Sequence, residues 1–116
     1  MATVSSHILD SVVGGSAVGI RVVLYKLLDQ SAKQKIFDVT ADDEGRVVET
    51  VDPGKADKSA LYELVFHSAD YFAGYDIPGA NHSTMKTVVL RFTMADRNKR
   101  YHMPVMLAPH SYSVCW

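Results

Sequence analysis

The chain has 116 residues, 12 of them basic and 13 acidic, for a formal net charge of −1. That length predicts one domain over 1–116, and without a basic stripe or acidic tail neither nucleic acid nor an anionic membrane is an expected partner. Cys115 is the one cysteine, which excludes an intrachain disulfide; MATVSSHILD lacks secretory-signal character, and no apolar run reaches the roughly 18 residues of a membrane span.

Taken in order, Val4–Asp10 is the first apolar run, and Gly14, Gly15 and Gly19 follow as turn and breaker. IRVVLYKLL (20–28) is rich in β-branched and aromatic residues and reads as a buried strand, with KQKIFDVTA (33–41) as the next. DDEGR (42–46) is a tight turn in which Gly45 is free to take a positive φ. RVVETV (46–51) is a fourth strand, and DPGKADKS (52–59) a loop with Pro53 and Gly54 in turn positions. ALYELVFHS (60–68) alternates as a strand does. SADYFAGY (68–75) predicts a short helix, with Ser68 as N-cap and Gly74 as terminator.

After the loop DIPGANHS (76–83), TMKTVVLRFTM (84–94) reads as a strand with Val88, Leu90, Phe92 and Met94 on one face. DRNKR (96–100) reads as a solvated hairpin turn. In KRYHMPVML (99–107), Tyr101, Met103, Val105 and Leu107 share one face, and Arg100, His102, Pro104 and Met106 share the other. Sheets tolerate proline where its missing N–H is not used, which suits Pro104. Met94, Met103 and Met106 read as gap-filling core. PHSYSVCW (109–116) closes the chain as a final short strand. Seven or eight strands at this spacing predict an all-β sandwich with one short helix and Greek-key or meander connections.

Four segments carry a resemblance: HILDSVVGGSAVGIRVVLYK, TADDEGRV with Glu44 placed before Gly45, YELVFHSADYFAG, and RYHMPVMLAPHSYS. Together, in this order from about Ser6 to Ser113, they resemble the transthyretin-like family. Within it the chain is more similar to the 5-hydroxyisourate hydrolases than to the plasma hormone carriers. The hydrolases place a histidine near the N-terminus, an arginine after the Asp-Gly turn and a histidine two before the late proline. Those positions are His7, Arg46 and His102 here. The resemblance implies a transthyretin-like seven- or eight-stranded sandwich. It implies hydrolysis of 5-hydroxyisourate to 2-oxo-4-hydroxy-4-carboxy-5-ureidoimidazoline in urate catabolism. It further implies a homotetramer, a dimer of dimers with the pocket in a central channel, and no cofactor or metal.

The chemistry suits those residues. Water must attack a ring carbonyl while charge builds on oxygen. An imidazole exchanges protons near neutral pH, and a guanidinium binds and stabilises an oxyanion. His7 and His102 are expected as the acid/base pair, with either one as the base, and Arg46 as the group that orients substrate. Cys115 falls where the hydrolases carry a tyrosine and is expected, with His7 and Arg46, to contact substrate. Trp116 falls where they carry an arginine, and their closing Gly-Ser has no counterpart in this sequence. That departure supports a competing expectation: a non-catalytic binder of a small aromatic ligand in the channel, capped by the flat face of Trp116. His67, His82 and His110 lack the spacing of metal ligands. The expected compartment is the cytoplasm, with the peroxisome, which the family's eukaryotic members use, as the alternative.

Overall fold

The computed structural model describes residues 1–29, 31–54, 58–75 and 84–115. His82 and Trp116, each singled out above, lie outside the described residues. The spine of the first sheet is β1 (Ala2–Asp10). Its N-terminal half runs antiparallel to β5 (Arg46–Val51) on one side and parallel to β8 (Arg100–His102) on the other. Its C-terminal half meets the two-residue β2 (Gly15–Ser16) and the parallel β9 (Val105–Ala108), and β10 (Ser111–Val114) pairs with the far side of β9. The second sheet is antiparallel throughout, in the order β4 (Lys33–Thr40), β3 (Arg21–Leu27), β6 (Leu61–Phe66), β7 (Val88–Thr93).

The strand period of two decides what each sheet buries. Val4 and Ile8 of β1 point inward with Val47, Met103, Val105 and Leu107, and they meet Val22, Leu24, Tyr62, Leu64, Phe66 and Val88 from the second sheet. Each such side chain contributes about 1.5–3 kcal/mol on burial, which fixes the register because a one-residue slip would turn the set to water.

The all-β sandwich with one short helix is what the sequence reading expects, and the differences have local causes. Ten strands stand among the described residues where seven or eight are expected, because β2 is an added pair and the Lys99–Leu107 run is split at Met103–Pro104 into β8 and β9. Pro104 joins the ladder through its carbonyl alone, which accepts from the Cys115 N–H at 3.2 Å, and Ser6 Oγ donates to the Met103 carbonyl at 2.7 Å across the break. Residues 96–100 do not form a hairpin. They carry the chain from β7 in one sheet to β8 in the other, with Met94 turning into the core. Met106, grouped above with the core methionines, is 45% exposed on the outer face beside Leu9.

The helix α1 (Ser68–Phe72) begins at its expected cap residue, so the observed cap lies one position earlier. His67 is the N-cap residue without a side-chain cap bond, and Ser68 Oγ is buried with no partner among the described residues. Gly74 is not among the described glycines with positive φ, which are Gly14, Gly19, Gly45 and Gly54. Burial of Phe72 in the core and donation from Tyr71 Oη to the buried Asp10 at 2.7 Å hold this helix in place of capping.

Candidate active site

The outer face of the first sheet is assembled from four strands. On β1, Ser5 and His7 point outward, two residues apart. Cross-strand pairing puts Arg46 of β5 opposite His7 and His102 of β8 opposite Ser5. The offset between β1 and the β8–β9 run is the same on both sides of the break, so Pro104 lies beside His7 and, one strand further, next to Cys115. Arg46, His7, Pro104 and Cys115 thus form one row across the sheet, with Ser5 and His102 in the row next to it.

The turn before β5 aims Arg46. Asp42 Oδ1 accepts from the N–H groups of Glu44 and Arg46, each at 2.9 Å. Those bonds, Arg46 first, hold the Asp42 carboxyl below the usual carboxylate range. Gly45 takes φ +73°, and a Cβ there would sit 2.5 Å from the Ile8 carbonyl oxygen. Only glycine lets the turn approach β1 this closely, and the Gly45 carbonyl accepts from the Ile8 N–H at 2.7 Å. Glu44 lies within 3.4 Å of Arg46 Nε, with both side chains well exposed.

His102 is held by a second line of contacts. Its Nδ1 is 2.8 Å from Ser5 Oγ, and Ser5 Oγ accepts from Arg100 Nε at 3.1 Å. Partial burial, followed by the nearby Arg100, Arg46 and His7, pushes the His102 imidazole below the ordinary histidine value. Beside it, a cleft of about 320 Å³ opens between Phe92, Lys99, Arg100, Tyr101 and Met103. At the other end of the face a dent of about 100 Å³ is lined by Leu9, Pro104, Met106, Ser113 and Cys115, whose thiol is exposed.

The four residues singled out from the sequence therefore share one face: His7, Arg46 and His102 adjoin, and Cys115 stands at the end of their row. Ser5 and Arg100 were missed. The strand period was the available signal, since each precedes a singled-out histidine by two residues and must share its side. Among the described residues no group of three His, Cys, Asp or Glu side chains is placed to hold a metal. Two imidazoles beside two guanidiniums can move a proton and stabilise negative charge on oxygen, the needs of water attack on a carbonyl.

Residues 4–115 match the model of the HIUase/Transthyretin family. The chain belongs to this family. It is 35% identical over 109 residues to 5-hydroxyisourate hydrolase 2 of Rhizobium meliloti, covering 94% of this chain and 90% of the relative. It is 33% identical over 109 residues to the 5-hydroxyisourate hydrolase of Deinococcus radiodurans, at the same coverage of each chain. The 5-hydroxyisourate hydrolase of Klebsiella pneumoniae shares the fold with a TM-score of 0.74 at 23% identity, over 99% of this chain and 97% of that one. An (S)-allantoin synthase superposes with a TM-score of 0.77 at 24% identity; the match covers 98% of this chain but only 43% of that one. The transthyretin-like sandwich expected from the resemblance is the fold observed.

Proposed function

We propose that the protein hydrolyses 5-hydroxyisourate, adding water to a ring carbonyl and yielding 2-oxo-4-hydroxy-4-carboxy-5-ureidoimidazoline in purine catabolism. The observation that carries this reading is the convergence of His7, Arg46 and His102, far apart in sequence, on one sheet face. The histidines serve the proton transfer and the charge that builds on oxygen, and Arg46 orients the substrate and stabilises the growing oxyanion. Cys115, at the end of the row, contacts the substrate from the side of the small dent.

A single chain offers this site one wall, an open sheet face with exposed Val48 and Met106 beside it. A second copy facing it would enclose a small ring substrate and exclude water, and this favours a homotetramer built as a dimer of dimers. Among the described residues no helix is long and apolar enough to cross a membrane. The 5-hydroxyisourate hydrolases named above are bacterial, which favours the cytoplasm and lends no support to a peroxisomal address.

The test is to mix the protein with freshly generated 5-hydroxyisourate and follow its ultraviolet absorbance. Decay faster than in buffer, abolished in His102→Asn with the assembly intact by light scattering, is expected. A rate equal to buffer, with tight binding of an aromatic acid, would point instead to a carrier.

A further inference from the structure

One hydrogen-bonded chain crosses the outer face of the first sheet: Arg100 Nε–H to Ser5 Oγ at 3.1 Å, then Ser5 Oγ to His102 Nδ1 at 2.8 Å. Its direction follows from which atoms can donate. A guanidinium only donates, so Arg100 occupies a lone pair of the Ser5 hydroxyl. That hydroxyl has one proton of its own, and Ser5 is 1% exposed, so bulk water does not accept it. Nδ1 of His102 is the acceptor at hand, which requires Nδ1 to be unprotonated. A neutral ring then carries its hydrogen on Nε2. Were Nδ1 protonated, two N–H groups would point at one oxygen and the serine proton would be buried without an acceptor.

We propose that Ser5 and Arg100 are positioning residues that hold His102 as the neutral Nε2–H tautomer, so that His102 donates to the developing oxyanion while His7 takes the proton of the attacking water. This assignment rests on the hydrolase reading and settles a division of labour that residue types leave open. The water oxygen bonds to the ring carbonyl carbon, and its proton passes to His7. The carbonyl electron pair moves onto oxygen, where Nε2–H of His102 and the Arg46 guanidinium meet it. As the oxyanion collapses the carbon–nitrogen bond breaks, and the leaving nitrogen takes the proton from His7. The charged and titratable groups facing His102 are Arg100 from its own strand, Arg46 from β5 and His7 from β1, none of them an anion, and they oppose a protonated ring.

The tautomer can be read without substrate, in long-range proton–nitrogen correlation spectra of the protein labelled with ¹⁵N-histidine. His102 is assigned by the signals missing from His102→Gln. The expected wild-type pattern is Nε2 protonated and Nδ1 bare near neutral pH. In Ser5→Ala the Nδ1–H form appears, and kcat falls roughly 10- to 100-fold at little change in KM, the size usual for a partner that orients a working imidazole. In the same spectra, Arg100→Gln moves the titration of the His102 ring nitrogens upward, toward the ordinary histidine value. Ser5→Thr restores both the tautomer and the rate. A wild-type His102 protonated on Nδ1, or a spectrum that Ser5→Ala leaves unchanged, overturns the proposal. Absence of turnover with the Nε2–H pattern intact would overturn the hydrolase reading and the catalytic division with it, leaving only the tautomer assignment.

Discussion

The two outer faces of the sandwich treat their charges in opposite ways. On the second sheet, the buried Glu63 carboxylate accepts from Lys33 at 2.7 Å and from Arg91 at 2.9 Å. Asp38 is shared between Arg21 at 2.6 Å and Lys35 at 3.2 Å, and Lys33 also lies 5.6 Å above the Tyr25 ring. There the cations are matched by anions, and the face is finished. On the first sheet Arg100 donates to a neutral hydroxyl, and His102 is surrounded by Arg100, Arg46 and His7. The one carboxylate in ion-pair contact there among the described residues is the exposed Glu44, at 3.4 Å from Arg46. Cations held in place with a single exposed anion among them are what a reaction that builds an oxyanion can use.

Substitutions can break that contrast, and the largest effect is expected in the positive face. His102→Ala should lower turnover by roughly 10²- to 10³-fold, the range for a lost oxyanion donor, with the fold retained by circular dichroism. Gly45→Ala comes next and should strike fold and site together. The new methyl would meet the Ile8 carbonyl in a backbone conformation at φ +73°, so urea unfolding should report a loss of about 2–3 kcal/mol along with reduced kcat.

Glu63→Gln should do the reverse of His102→Ala, costing about 1–2 kcal/mol of stability at neutral pH with kcat unchanged. Lys33 first, then Arg91, hold the Glu63 carboxyl below the usual range. Its contribution is therefore complete above the ordinary glutamate value of about 4.3 and disappears as pH falls through the lower folded value. Unfolding curves of wild type and variant should converge in acid. Asp38→Asn is the smallest change. It removes exposed ion pairs and should leave both melting temperature and turnover where they are, because solvent already screens such contacts.

Much of this contrast is legible in the sequence. Strict alternation in KRYHMPVML places His102 opposite the core, and the turn chemistry of DDEGR announces Gly45. What the sequence hides is pairing at a distance. β1 and β8 pair in parallel through residues 97 positions apart, so no local pattern joins Arg100 to Ser5, 95 residues before it. The hairpin expected at 96–100 failed for the same reason, since nothing local says that the chain changes sheets there. Ser68 has a capping residue's chemistry, but its hydroxyl is buried without a partner among the described residues, and helix placement follows Phe72 and Tyr71. Met106 was misassigned by its residue type, although the alternation of its own strand already placed it outside.

The most direct measurement is the initial rate of 5-hydroxyisourate consumption by wild type, Arg46→Ala and Glu63→Gln at equal concentration of folded protein. Catalysis by wild type and Glu63→Gln, with Arg46→Ala slower by about 10²-fold or more, is the expected result. Equal rates for Arg46→Ala and wild type, or a collapse of activity in Glu63→Gln alone, would contradict the placement of the chemistry on the first sheet.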